Sequence, residues 1–155
     1  MKDLAGLTRY SFLFFGFLVI QSALLAQPTD PLYADQWYLK NTGQDGGTPG
    51  EDINIESVWT KYRGTHDQII AIVDSGINIT HPDLEDNVIA GMSIDYNVDG
   101  FEDNDPSADH RQDFHGTQVA GLVAARGWNN VGIRGVAGEA GIVGHKLFDT
   151  SVWHY

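Results

Sequence analysis

Residues 69–76 read Ile-Ile-Ala-Ile-Val-Asp-Ser-Gly, and this octet constrains the fold more than any other segment. Its first five residues are apolar without alternation, and all but Ala71 are β-branched. Such a run predicts a strand covered on both faces, the situation of a parallel sheet. Parallel strands need long crossovers, so the octet also demands helices lying on the sheet. The run stops at Asp74, placing a carboxyl group at the strand's carboxyl end, where open α/β sheets gather their functional groups. Gly76 then permits a tight exit.

The remaining segments agree with that architecture. Asn54 can cap a helix whose apolar residues Ile55, Val58, Trp59 and Tyr62 fall at i, i+3, i+4 and i+7, with Gly64 as its terminating residue. Residues 88–94 form a second predicted strand, 115–125 a helix rich in Ala and Gly that can approach a sheet closely, and 142–148 a third strand. Polar loops fill 75–87 and 95–113, the second dense in acids and Gly. Residues 27–50 predict an extended arm with one aromatic cluster, Trp37 and Tyr38. Alternating strands and helices imply an α/β fold with a parallel sheet and right-handed crossovers. No internal repeat is present.

At 155 residues and 42% hydrophobic, the chain is long enough for one core. A formal net charge of −12 disfavours nucleic acid and anionic membranes as partners, and its acidic clusters suit a divalent cation. With no Cys, disulfides and thiolate metal sites are excluded. Residues 1–26 read as a signal peptide: Lys2 and Arg9, an apolar stretch from Phe12 to Leu25, and a small residue at Ala26 after which cleavage is expected. The apolar run falls short of the roughly 20 residues of a membrane span, so no stable span is expected once the signal is removed. Residues 27–155 form the folded remainder, expected in the periplasm or outside the cell.

Asp74 and His115 carry the chemistry. A Ser hydroxyl is a poor nucleophile at neutral pH, so acyl transfer needs a His as general base and a carboxylate that fixes the His tautomer. His115, opening a helix, would project from a fixed element toward the end of the 69–74 strand. Each residue alone has a plainer reading, Asp as a turn residue and His as a surface group. Other signals are weaker. Gly132, Gly135 and Gly138 lack the spacing of a nucleotide loop, and the 6 His residues include no His-Glu-x-x-His pair, which disfavours a zinc hydrolase. Asn78-Ile79-Thr80 is a formal glycosylation acceptor.

The neighbourhood of both residues resembles the subtilisin-like serine proteases, the subtilases. Asp-Ser-Gly-Ile at 74–77, His-Pro-Asp-Leu at 81–84 and His-Gly-Thr-x-Val-Ala-Gly at 115–121 carry the resemblance in order and spacing. Asp30-Pro31-Leu32-Tyr33, Gln36-Trp37-Tyr38-Leu39, Asp52-Ile53-Asn54-Ile55 and the stretch 124–132 resemble the kexin and furin-like branch. Two features depart from that branch: Ser75 stands where Asp is usual, and Phe114 precedes the His.

The resemblance implies a three-layer subtilisin-like fold and peptide-bond hydrolysis by an Asp/His/Ser triad, acting on peptides or proteins. It implies Ca2+ as cofactor, in a first site formed by Asp30, Asp83 and Asn129 with carbonyls of Arg126, Val131 and Ile133, and a second at Asp95 and Asp105. In the Asp, His, Ser order the nucleophile follows His115, and the only later Ser, Ser151, lacks the small-residue helix such a nucleophile opens. The sequence is therefore expected to be the N-terminal part of such a domain, inactive by itself. The alternative is a secreted calcium-binding pseudoprotease or binding module. Oligomeric state is not legible.

Overall fold

The computed structural model describes residues 29–96, 104–107 and 114–147. Two helices, α1 (Glu56–Trp59) and α2 (His115–Ala124), and three strands, β1 (Ile69–Asp74), β2 (Ile94–Asp95) and β3 (Gly141–Lys146), form its regular elements, with short 3-10 turns between them. The expected signal peptide, Ser151 and Phe148 lie outside the described residues. Among those residues, no helix is long and apolar enough to cross a membrane.

The strands make one parallel sheet in the order β1-β3-β2. The register aligns Ile69 with Gly141 and Asp74 with Lys146, and on the other side of β3 aligns Asp95 with Lys146. The C-terminal residues of all three strands therefore stand in one row: Asp74, Lys146, Asp95. Helix α2 packs on β1 and β3. The core beneath it joins Ile72, Ile77, Leu84, Ala120, Ala124 and Ile142. Ala120 and Ala124 are fully buried, and their small size lets the helix lie close to the sheet.

β1 differs from its predicted burial. Ile70, Ile72 and Asp74 point toward α2, whereas Val73 is 55% exposed and Ile69 and Ala71 are exposed with it. Among the described residues the strand sits at one edge of the sheet, and α2 covers a single face. The strand buried nearly throughout is β3, which runs between the other two and is covered by Ile77 and Pro106 over Gly144 and by Ile89 over Gly141. Gly144 on β3 has no room for a side chain, since a Cβ there would lie 2.5 Å from Ile77.

Two predicted elements also change. The helix expected from Asn54 to Gly64 is the single turn α1. Asn54 takes a left-handed φ of 54° while its N–H donates to Asp52 Oδ1 at 2.7 Å, a local turn that competes with helical pairing. Gly64, with φ 95°, does not cap α1; a Cβ there would lie 2.9 Å from the Ala140 nitrogen. The predicted 88–94 strand reduces to a lone bridge from Val88 to Ile142 followed by β2, because a turn through Gly91, φ 71°, interrupts it. Helix α2 falls within its predicted span.

Candidate active site

Asp74 ends β1 and His115 begins α2, and the two elements bring them into contact. His115 Nδ1 lies 2.8 Å from Asp74 Oδ1 and 3.0 Å from Oδ2. An ionised carboxylate only accepts, so Nδ1 is the donor in this contact, and the neutral ring then carries its accepting lone pair on Nε2. Oδ1 also accepts the N–H of Ser75 at 2.7 Å. The Asp74 side chain is 10% exposed and that of His115 66%, so a buried acid holds a ring that faces solvent. Burial pushes the Asp74 carboxyl upward, but the hydrogen bonds from His115 and Ser75 outweigh it and hold the group below its ordinary value of 3.8.

The approach of α2 to β1 depends on Gly116. A Cβ at that position would run into the Gly76 carbonyl oxygen and lie 3.0 Å from Asp74 Cβ. Gly76 itself has a φ of 118°, a conformation that glycine adopts without strain. Thr117 Oγ1 accepts the N–H of Asn78 at 3.0 Å, tying the next residue of α2 to the strand's exit loop. Sequence reasoning named Asp74 and His115 but not these positioning contacts. The Gly in His-Gly-Thr was the available signal.

The chain matches the subtilase family over residues 65–152, more than half its length. It belongs to the subtilase family. It is 39% identical over 128 residues to neuroendocrine convertase 2 of Drosophila melanogaster, an alignment covering 79% of this chain and 19% of that protein. It is 40% identical over 122 residues to PC3-like endoprotease variant B of Hydra vulgaris, covering 79% and 17%. Among solved structures, the serine protease of Aeromonas sobria superposes with a TM-score of 0.67 at 37% identity, covering 78% of this chain and 20% of that one. The fold is thus subtilisin-like α/β, and the chain spans about a fifth of the length of the curated relatives it matches. Relatives named as convertases and endoproteases agree with the kexin and furin-like resemblance.

In this subtilase, the residues expected at a first cation site gather in one hydrogen-bonded knot. Asn129 bridges the two acids: its N–H donates to Asp30 Oδ1 at 3.1 Å and its Nδ2 to Asp83 Oδ1 at 2.9 Å. Ile133 N–H reaches Asp83 Oδ2 at 2.9 Å, Arg126 N–H reaches the Asp83 carbonyl at 2.8 Å, and Val131 N–H reaches Asn129 Oδ1 at 2.8 Å. Burial, with Asp30 nearby, raises the Asp83 carboxyl, although the bonds from Asn129 and Ile133 oppose the rise. Trp128, Asn130 and Gly132 in this loop all have positive φ, and a Cβ on Gly132 would strike Asp83 Oδ2. Trp128 in that region is a strained choice that its surroundings must enforce.

The residues of the second predicted pair have different surroundings. Asp95 is buried against Lys146, whose Nζ donates to its Oδ2 at 2.8 Å with both side chains 5% exposed or less. Asp105 is exposed and its Oδ1 accepts the N–H of Ser107 at 3.0 Å. Among the described residues no three His, Asp or Glu side chains converge as a metal cluster. Sequence reasoning missed Lys146, and an isolated Lys inside an apolar strand was the signal for it. A cleft of about 540 Å³ flanks α2 between Leu32, His81, Gln118, Leu122 and Ile133, and neither Asp74 nor His115 lines it.

Proposed function

We propose that this subtilase contributes the acid and base of a serine endopeptidase, with His115 as general base and Asp74 fixing its tautomer. The contact of 2.8 Å between a buried carboxylate and a solvent-facing imidazole is the observation that carries this reading. In the reaction, Nε2 of His115 takes the proton of a Ser hydroxyl as that oxygen attacks the peptide carbonyl, then returns it to the leaving amine. Asp74 stabilises the imidazolium formed between these steps without accepting its proton. Peptides or proteins are the substrate class.

Calcium belongs to the same reading. Side-chain oxygens of Asp30, Asp83 and Asn129, with carbonyls of Arg126, Val131 and Ile133, supply the hard oxygen donors that Ca2+ requires. The gathering of Asp30 and Asp83 on Asn129, and the raised carboxyl of Asp83, support a cation there. When bound, the ion supplies positive charge that neutralises two buried acids and braces the 126–133 loop. Asp95 and Asp105 are the weaker candidates, since Asp95 already has Lys146 as its counter-charge. Export through the expected signal at residues 1–26, to the periplasm or outside the cell, belongs to the same reading.

The test joins this polypeptide to a Ser-bearing remainder of a subtilase catalytic domain and measures peptide hydrolysis. His115→Ala should lower kcat by about 10⁶, a magnitude carried over from subtilisin, and Asp74→Asn by about 10⁴. Hydrolysis by the joined protein that survives His115→Ala would contradict the assignment.

A further inference from the structure

We propose that Arg134 is a built-in counter-cation of the Asp30 and Asp83 knot, anchoring the 29–39 arm without metal and weakening the knot's affinity for calcium. The affinity half rests on the calcium reading above; the anchoring half does not.

The side chain is placed as an internal ion. Arg134 is 5% exposed, and its Nε donates to Asp30 Oδ2 at 2.7 Å, where the Asp30 side chain has no exposed area. Its guanidinium lies 4.1 Å from the Trp128 ring centroid, 4.2 Å from that of Tyr33 and 5.4 Å from that of Trp59. Desolvating a guanidinium costs several kcal/mol, an expense met only where an acid and aromatic faces surround it. The cage is rigid from outside as well. Arg63 stacks on Trp128 at 3.6 Å, and Trp59 and Trp128 meet edge to face at 5.4 Å.

The main chain of Arg134 is held by the same arm. Gln36, itself buried, accepts the Arg134 N–H at 2.7 Å and donates to the Arg134 carbonyl at 2.9 Å. Asp30, Tyr33 and Gln36 thus converge from one arm on one residue of the loop. The arm lies outside the sheet, and Leu32 N–H to the Gly132 carbonyl at 2.9 Å adds a main-chain tie to the loop. Arg134 also explains how Trp128 keeps its positive φ: Asp30 accepts the Trp128 N–H at 3.0 Å while the guanidinium lies over its ring.

Charge then sets the second consequence. Calcium affinity rises with the number of negative ligands, and here one of two acids is already paired with a permanent cation. A divalent ion entering the knot meets that charge at close range. The arm is held in place with or without the ion, and the ion adds stability on top.

Arg134→Met and Arg134→Lys in the full chain separate the two effects. With chelator, Arg134→Met should lower Tm and speed proteolysis within residues 29–39, and calorimetry should show calcium binding at least about fivefold tighter than in the parent, the low end of ordinary coupling between sites. Arg134→Lys keeps the charge but loses the planar stack, so it should keep the parent's calcium affinity while losing protection of the arm. Unchanged protection in Arg134→Met overturns the anchor. Unchanged or weaker calcium binding in Arg134→Met overturns the counter-cation. Should Arg134→Met not fold, calcium affinity altered fivefold in Arg134→Lys overturns it instead. Calcium that binds neither the parent nor the variants overturns the calcium reading and the affinity half with it, while proteolysis in chelator still decides the anchor.

Discussion

Asp74 and Asp30 are both buried carboxylates that accept main-chain N–H groups and face one nitrogen base, yet they do opposite work. Asp74 faces a His side chain that is 66% exposed, and Asp30 faces an Arg side chain that is 7% exposed. An imidazole can gain and lose a proton near neutral pH, whereas a guanidinium cannot. In the function proposed above, the exposed, titratable partner makes Asp74 part of a proton-transfer device. The buried, permanent partner makes Asp30 a structural clamp. Geometry of the acid alone does not separate the two roles, because both contacts are 2.7–2.8 Å long.

The largest expected effect falls on the clamp. Asp30→Asn removes the carboxylate paired directly with the buried Arg134 guanidinium and should cost about 3–5 kcal/mol in urea unfolding, and adding Arg134→Met should cost less than the sum of the two singles. Lys146→Met should fall in the same range of about 3–5 kcal/mol by leaving Asp95 buried, with partial recovery in a Lys146→Met, Asp95→Asn double variant. Full additivity in either pair would mean that the ion pair is not a unit.

Next comes the approach of α2 to β1. Gly116→Ala forces a methyl against the Gly76 carbonyl and should cost about 1–3 kcal/mol, with the ring of His115 displaced from Asp74. Wild-type stability in Gly116→Ala would show that the contact is loose.

The smallest effect is a pH dependence. Asp74 has a folded-state value below its ordinary 3.8, so its contribution is complete above about pH 4 and is lost as pH falls through the lower folded-state value. Asp74→Asn should flatten this acid limb, with a change on the order of 1 kcal/mol in the stability difference between pH 5 and pH 2. An unchanged acid limb would mean that Asp74 is no better stabilised folded than unfolded.

Much of the site was legible because its chemistry lies in short, contiguous motifs. Asp74 after an apolar run and His115 before a small-residue helix reveal both element type and position, and the structure joins them. The knot was legible only through family resemblance, since Asp30, Asp83 and Asn129 are far apart in sequence and each alone reads as a loop residue. Arg134 and Lys146 were not legible: burial of a cation is decided by distant partners, Asp30 and Asp95, and no local pattern records it. The reading of β1 as covered on both faces failed for a related reason. Apolar composition records that Ile69 and Val73 can be buried, while the elements packed around β1 decide whether they are. Asn54 misled because its own turn with Asp52 overrode the helical spacing that follows it.

¹⁵N NMR of the His115 ring, at a pH where it is neutral, reads directly whether Asp74 fixes its tautomer. The geometry predicts the Nδ1–H tautomer, with Nε2 as the bare acceptor, and a shift toward Nε2–H in Asp74→Asn. A parent protein that already populates Nε2–H, as the variant should, would contradict it.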